Sequence, residues 1–131
     1  MDSSVLLDVL VPDSRFHDVS VEALRDSYDA GSLVACEVVW AEVRAHFPTD
    51  ELFLETMHVL GLSFDPLSGG AAKLAGQIWR DYRAKKRARR DNLIPDFLVG
   101  PHATLQADRL LTRDRGFYRQ LFGELKIIIP T

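Results

Sequence analysis

The chain has 131 residues, a length that fits one domain with its own apolar core. Its net charge of −3 at pH 7 excludes a protein that binds nucleic acid through bulk positive charge, so any such contact would need a local basic patch. The single cysteine excludes an internal disulfide, and no signal-peptide pattern or membrane-length apolar run is present. We therefore expect one cytoplasmic domain over residues 1–131, with no membrane contact.

Short apolar runs alternate with helical patterns along the chain. Strands are predicted for the apolar runs at 32–36, 62–64, 109–112 and 125–129. Helices are predicted for 37–47, for 49–61, from Ser68 to Tyr82, and from Pro95 onward. Thr49 is the expected N-cap of the second helix and Gly61 its expected end, while Pro101 is expected to kink or restart the last one. This alternation implies parallel strand pairing and an α/β sandwich.

Four acidic residues lie next to these apolar runs: Asp2, Glu42, Asp96 and Asp114. Sites in α/β sheets lie at the carboxyl ends of the strands, so these side chains are expected to meet. Carboxylates that share a cleft repel one another, and a divalent cation removes that repulsion. Mg²⁺ prefers oxygen ligands, whereas zinc favours histidine and cysteine clusters, which this sequence lacks. The pattern predicts a Mg²⁺ centre that activates a water for phosphoryl chemistry.

Three neighbouring residues offer alternatives to this set. Glu37 lies five residues before Glu42, which turns the two side chains roughly 140° apart on a helix, so only one can face the cleft. We choose Glu42. His46 follows Glu42 by about one helical turn, but a satisfied or exposed histidine is the simpler interpretation. Asp8 is interpreted as a surface residue in preference to a supporting acid of the site.

The segments DSSVLLDVL, VVWAEV, PDFLVGPHA and LLTRDRGFY resemble, in order and spacing, the four acidic motifs of the PIN domain family. The likeness extends over nearly the whole chain and is closest to the VapC-type toxin ribonucleases of bacterial toxin–antitoxin pairs. It implies a PIN-like three-layer α/β/α sandwich with a mainly parallel central sheet. The first strand of that sheet is truncated here, because only Met1 precedes Asp2.

The resemblance also implies a function and a set of site residues. The catalytic residues that it implies, which would also bind Mg²⁺ or Mn²⁺, are Asp2, Glu42, Asp96 and Asp114. Ser4 and Thr112 would supply supporting polar groups near them. The implied activity is endonucleolytic RNA cleavage by a metal-activated water, as the toxin of a toxin–antitoxin pair. The implied partners are an RNA substrate, a cognate antitoxin that covers the cleft, and a second copy of the chain in a homodimer.

Two other classes of function stay open. A PIN-like scaffold that binds RNA or protein with little catalysis is one alternative, and the truncated first strand favours it. A phosphoacceptor signalling domain also gathers acids at strand ends. Such a domain needs a lysine at the end of a late strand, and Lys126 begins its strand instead.

The basic segment RDYRAKKRARRD (80–91) has two interpretations. It is either a solvated helix end or a patch that binds RNA phosphates, the latter through Lys85, Lys86, Arg87, Arg89 and Arg90. Arg113 and Arg115 flank Asp114, and they either contact RNA phosphate or pair with neighbouring acids.

Four further residues are interpreted structurally. Trp40 and Trp79 are expected to pack in the core rather than to stack on bases. His102 is expected to be a packed histidine rather than one that orients a site group. Cys36 is expected to be a buried residue rather than a nucleophile, because no histidine or asparagine partner is apparent.

Overall fold

The structure is a computed structural model that describes residues 1–84 and 93–131. Within these ranges the chain forms seven helices and four strands, in the order α1 Ser3–Leu10, α2 His17–Ala30, β1 Leu33–Ala35, α3 Glu37–Arg44, α4 Asp50–Val59, β2 Leu62–Phe64, α5 Gly69–Ala84, α6 Leu93–Gln106, β3 Leu110–Leu111, α7 Arg115–Leu121 and β4 Ile127–Ile128. The strand predicted at 62–64 has the expected bounds, and the other three are shorter than predicted. In the described part of the chain, no helix has the length and apolar character needed to cross a membrane.

The strands pair in parallel, as predicted, and they form two short sheets. β1 pairs with β2, and β3 pairs with β4. Met1 and Asp2 link the two pairs, because the Met1 amino group donates to the Val34 carbonyl oxygen at 2.9 Å and the Asp2 amide donates to the Leu111 carbonyl oxygen at 2.9 Å. These two residues therefore lie between β1 and β3, and the carboxylate of Asp2 is brought to the end of β3.

Helix α4 shows how the local sequence sets the helix ends. The Thr49 hydroxyl oxygen accepts a hydrogen bond from the Leu52 amide at 3.2 Å, which confirms the predicted N-cap. Gly61 follows the helix with a φ of 69°, a conformation that favours glycine. One face of α4 buries Phe53 and Met57 in the core, which fixes the helix beside β2.

Helix α6 continues through Pro101 from Leu93 to Gln106. The prediction that Pro101 restarts the helix is therefore wrong. Pro101 is fully buried and its neighbours Gly100 and His102 are buried as well. Burial of this segment outweighs the one backbone hydrogen bond that a proline removes from a helix interior.

The residues that were assigned to the core do pack there. Trp40 and Trp79 each make an edge-to-face contact with a buried phenylalanine, with ring centroids 5.1 and 4.9 Å apart. His102 is 3% exposed, and its Nε2 lies 2.9 Å from an Asp65 carboxylate oxygen, so it is a packed and satisfied histidine. Cys36 is buried, and burial raises the pKa of its thiol, which disfavours a nucleophilic role.

Replacing Gly100 by alanine is expected to destabilise the protein by about 1–3 kcal/mol. A Cβ at this position would lie 2.4 Å from ring atoms of the buried Phe122, so the ring and α6 would have to shift. Gly76 in α5 is the matched control, because its added Cβ would meet no atom within 4 Å. We expect Gly76→Ala to leave stability unchanged or raise it by up to about 1 kcal/mol. Thermal and urea unfolding of both variants measure the difference, and equal effects at the two positions would contradict this packing.

Candidate active site

Asp2 is a buried carboxylate held by two hydroxyl groups. Its Oδ2 atom accepts hydrogen bonds from Thr112 Oγ1 at 2.6 Å and from Ser4 Oγ at 3.0 Å. Thr112 follows β3 and is fully buried, while Ser4 lies in the first turn of α1. A carboxylate with two donors on one oxygen has a restricted orientation, so Ser4 and Thr112 hold Asp2 at the end of β3.

Asp114 lies on the same side of β3 and is tied to Asp2 through Thr112. The Asp114 amide donates to Thr112 Oγ1 at 3.0 Å, and Thr112 donates to Asp2. Asp114 is also the N-cap of α7, where its Oδ1 accepts from the Phe117 amide at 3.4 Å. Asp114 is exposed to solvent.

Asp96 is half-buried near the start of α6, and its carboxyl lies near enough to the other three acids for their charges to affect its pKa. Burial raises the pKa of its carboxyl to about 6, and the charges of Asp2, Asp114 and Glu42 contribute to the increase. The Tyr118 hydroxyl donates to Asp96 Oδ1 at 3.4 Å. Burial is the largest cause of this shift, and the smaller contributions of the three carboxylates mean that their charges lie near Asp96.

Glu42, rather than Glu37, interacts electrostatically with the acids of the site. Partial desolvation and the charge of Asp2 raise the pKa of Glu42, although the residue is exposed, and a hydrogen bond with Ser3 opposes them. Glu37 has a different role, because its Oε1 accepts from the Leu67 amide at 2.8 Å and so holds the segment after β2. The rotation between these two positions on α3 separates them as the helical geometry predicts.

The charges of the other three acids act on Asp96, but the four side chains do not form a preformed metal site. Among residues 1–84 and 93–131, no three histidine, cysteine, aspartate or glutamate side chains are placed to hold one metal ion. His46, one turn beyond Glu42, is exposed. The donor chemistry nevertheless suits a hard cation, since the charged groups that raise the pKa of Asp96 are all carboxylates.

Tyr118 was missed in the sequence and lies beside the acids. It is fully buried, and its hydroxyl faces Asp96. Burial and the charges of Asp2, Asp96 and Asp114 all raise its pKa, so it stays a protonated donor. Its position four residues after the N-cap Asp114 was the available signal, because that spacing places both on one face of α7.

The basic residues have different positions. Arg113 forms an ion pair with Asp8, an acid from α1 that is 5% exposed, so the interpretation of Asp8 as a surface residue is wrong. Asp8 is buried because hydroxyl groups and a cation satisfy it. The basic run of Lys85, Lys86, Arg87, Arg89 and Arg90 lies outside the described residues, as does the side chain of Arg115.

Without divalent cations at pH 7, Asp96→Asn is expected to raise the free energy of unfolding by about 1 kcal/mol, after allowance for screening at this half-exposed group. The pKa of Asp96 is raised from 3.8 to about 6 by folding, so the folded state binds this proton more tightly than the unfolded chain. The stability from this group is therefore present below pH 3.8 and is lost as the pH rises through about 6. Urea unfolding in EDTA at pH 7 and pH 4 tests it, and a wild type more stable than the variant at pH 7 would contradict it.

Comparisons with known proteins agree with this architecture. Residues 1–121 match the family model of the PIN domain. No curated protein matches the chain. Among solved structures, a chain of VapBC2 from Rickettsia felis, bound to a DNA fragment from its promoter, shares the fold with a TM-score of 0.72 and 15% identity, over 97% of this chain and 94% of that chain. The fold is therefore the helix-rich PIN fold with parallel strands, and the chain belongs to the PIN domain family.

Proposed function

We propose that this protein is a divalent-metal-dependent endoribonuclease and the toxin of a type II toxin–antitoxin pair. The observation that carries the proposal is geometric: the Thr112 hydroxyl joins the Asp2 carboxylate to the Asp114 amide, and the Tyr118 hydroxyl donates to Asp96. The charges of Asp2, Asp114 and Glu42 also help burial to raise the pKa of Asp96, which supports the same grouping. Four carboxylates that come from α3, α6 and the two segments beside β3 destabilise one another unless a cation joins them. Because this arrangement does not stabilise the fold, we interpret it as a functional site.

The proposed ligands of the cation are Asp2, Glu42, Asp96 and Asp114. A bound Mg²⁺ or Mn²⁺ would lower the pKa of a water and offset charge on a phosphodiester. In the described side chains no three ligands are yet in place, so the acids would draw together when the cation offsets their repulsion. Thr112 and Ser4 keep Asp2 oriented, and Tyr118 donates to Asp96.

The proposed partners follow from the family and from the structural neighbour. That neighbour belongs to a VapBC complex, and we propose that this chain is likewise covered by a cognate antitoxin. RNA is the proposed substrate, with a homodimer as the proposed assembly. Because the net charge is −3, the basic run at 80–91 is the proposed phosphate contact, and its effect would weaken as salt rises.

Removal of divalent cations is expected to abolish RNA cleavage. The purified chain would be incubated with single-stranded and structured RNA in Mg²⁺, in Mn²⁺ or in EDTA, and the products separated on a denaturing gel. Cleavage should appear with either metal, disappear in EDTA and return when excess metal is added, because the acids lack their cation without it. Cleavage of the same strength in EDTA would exclude the proposed mechanism.

A catalytically weak scaffold that binds RNA or protein is the second candidate. The absence of three metal-ready side chains in the described residues favours it. The same experiment separates the two functions, because a scaffold would bind RNA in EDTA and would cut none of it in either metal.

A further inference from the structure

Arg113 lies in the turn between Thr112 and Asp114, but its side chain contacts α1 and the residue that precedes α2. Its Nε atom forms an ion pair with Asp8, near the end of α1. Its guanidinium carbon lies 4.4 Å from the ring centroid of Phe16, at the start of α2. Among the described residues the Nε–H has no hydrogen-bond acceptor, so the attraction to Asp8 is one of charge.

Asp8 is a buried anion whose other contacts are hydroxyl groups. Its Oδ1 accepts from Ser14 Oγ at 2.9 Å and its Oδ2 from Ser20 Oγ at 3.1 Å. The His17 ring nitrogen lies 3.0 Å from the backbone oxygen of Asp8, not from its carboxylate. A buried carboxylate that loses its cation is left with an uncompensated charge, so the pairing with Arg113 is strongly favoured.

The backbone of Arg113 is connected directly to the candidate site. Its amide donates to Ser4 Oγ at 3.3 Å, and Ser4 donates to Asp2. The preceding residue, Thr112, donates to Asp2 and accepts from the Asp114 amide. Anything that fixes Arg113 therefore fixes the segment that carries Asp114 and one of the two donors to Asp2.

We propose that Arg113 is a positioning residue, and that its pair with Asp8 holds the turn after β3 so that Asp114 faces Asp2 and Asp96. This inference rests on the proposed function, because it concerns the placement of a proposed metal ligand. The Arg113 side chain is 34% exposed, but its guanidinium already has a partner, since it pairs with the 7% exposed Asp8 and Phe16 covers one of its faces. Arg113 therefore acts on the site indirectly, by positioning Asp114, and does not contact RNA.

Two variants test this proposal from opposite ends of the pair. Arg113→Met keeps a long apolar stem against Phe16 but removes the charge, and Asp8→Asn removes the charge of a residue that cannot reach RNA. In each variant we expect kcat for RNA cleavage and Mn²⁺ affinity, measured by calorimetry, to fall about 10-fold or more. The KM for RNA should stay within about two-fold of wild type, and the double variant should be no worse than the stronger single one.

Direct phosphate binding by Arg113 gives a different pattern. In that case Arg113→Met would raise KM and lower the salt slope of RNA binding by about one, while Asp8→Asn would leave both unchanged. That pattern would overturn the proposal. Unchanged kcat and unchanged Mn²⁺ affinity in Arg113→Met would also overturn it.

The exposed pair of Asp108 and Arg109, just before β3, is the matched control. Its atoms lie 3.2 Å apart, and Arg109 is about as exposed as Arg113, at 38% against 34%, but Asp108 is 83% exposed where Asp8 is 7% exposed. Asp108→Asn and Arg109→Met should change neither kcat nor Mn²⁺ affinity. Circular dichroism verifies folding in each case, and if Asp8→Asn does not fold, the kcat and KM of Arg113→Met decide the question. Unfolding of both pair variants would overturn the proposal, because the pair would then serve stability as a whole.

The proposed function and the positioning role of Arg113 are tested by different proteins: the wild type tests the first, and the variants of Asp8 and Arg113 test the second. If the proposed function is wrong, the wild type itself shows no metal-dependent cleavage. If only the positioning role is wrong, the wild type cleaves RNA and binds Mn²⁺ normally, and the variants of Asp8 and Arg113 give one of the contrary outcomes named above: unchanged kcat and Mn²⁺ affinity, a raised KM in Arg113→Met alone, or unfolding of both.

Discussion

Replacing Asp96 or Asp114 by asparagine is expected to reduce RNA cleavage by about 100-fold or more, equivalent to roughly 2.7 kcal/mol of transition-state stabilisation. Each substitution keeps the shape of the side chain and removes one of the charges that meet at the site. In Asp96→Asn the amide oxygen could still accept from the Tyr118 hydroxyl, so the local hydrogen bond should survive. Initial cleavage rates with Mn²⁺, together with Mn²⁺ affinity by calorimetry, measure the effect.

Asp108→Asn is the control for this prediction. It removes the same charge from the same sequence region, but its side chain is 83% exposed and its ion-pair partner is the neighbouring Arg109. We expect it to cleave at the wild-type rate. Because Asp96→Asn is expected to gain stability in EDTA, we expect it to be folded in the assay, and urea unfolding in the Mn²⁺ assay buffer checks that a loss of cleavage is not due to unfolding. Equal rates in all three variants and the wild type would remove the acidic site from the mechanism.

Thr112→Val is expected to have the second-largest effect. Valine has nearly the same shape, but it lacks the hydroxyl that donates to Asp2 at 2.6 Å and accepts from the Asp114 amide at 3.0 Å. The buried Asp2 carboxylate would lose a donor and the part-buried Asp114 amide would lose its acceptor, at a cost of about 1–3 kcal/mol in the free energy of unfolding. Because Asp2 and Asp114 would lose their common link, we also expect cleavage to fall about 10–100-fold.

Thr104→Val controls for the loss of a threonine hydroxyl by itself. That residue is exposed on α6, and its hydroxyl donates to the Gly100 carbonyl oxygen of the same helix at 2.8 Å. Its replacement should change the free energy of unfolding by no more than about 0.5 kcal/mol and leave cleavage unchanged. Urea unfolding and the gel assay, performed on both threonine variants, give the comparison. A Thr104 variant as impaired as the Thr112 variant would show that the buried link to Asp2 has no special role.

Much of the fold could be predicted from the sequence. The apolar runs between helical patterns predicted parallel strands, and the pairings of β1 with β2 and of β3 with β4 confirm this. The N-cap Thr49 and the end at Gly61 were predicted because both depend on local backbone chemistry. The expectation that Pro101 restarts the helix is wrong because burial holds this residue within α6, and the local propensity of proline does not report burial.

The candidate site shows the same division. Asp2, Glu42, Asp96 and Asp114 were identified from their places beside apolar runs, and the structure gives three of them a shared effect on the pKa of Asp96. Thr112 was expected near the site, but its two hydrogen bonds were not, because the stronger one joins residues at opposite ends of the chain. The role of the four acids as metal ligands stays a prediction until cation binding is measured.

The sequence by itself determined the family, the alternation of helices and strands, and the acidic residues, since each of these depends on residue type, order or short-range spacing. Only the tertiary structure decided the burial of Asp8, its pairing with Arg113 and the contact of Tyr118 with Asp96. From sequence alone, a charged residue such as Asp8 is assigned to the surface unless its partner is known, and its partner Arg113 lies more than 100 residues away in the sequence. Burial of a charge depends on what the fold brings next to it, and no local pattern reports that.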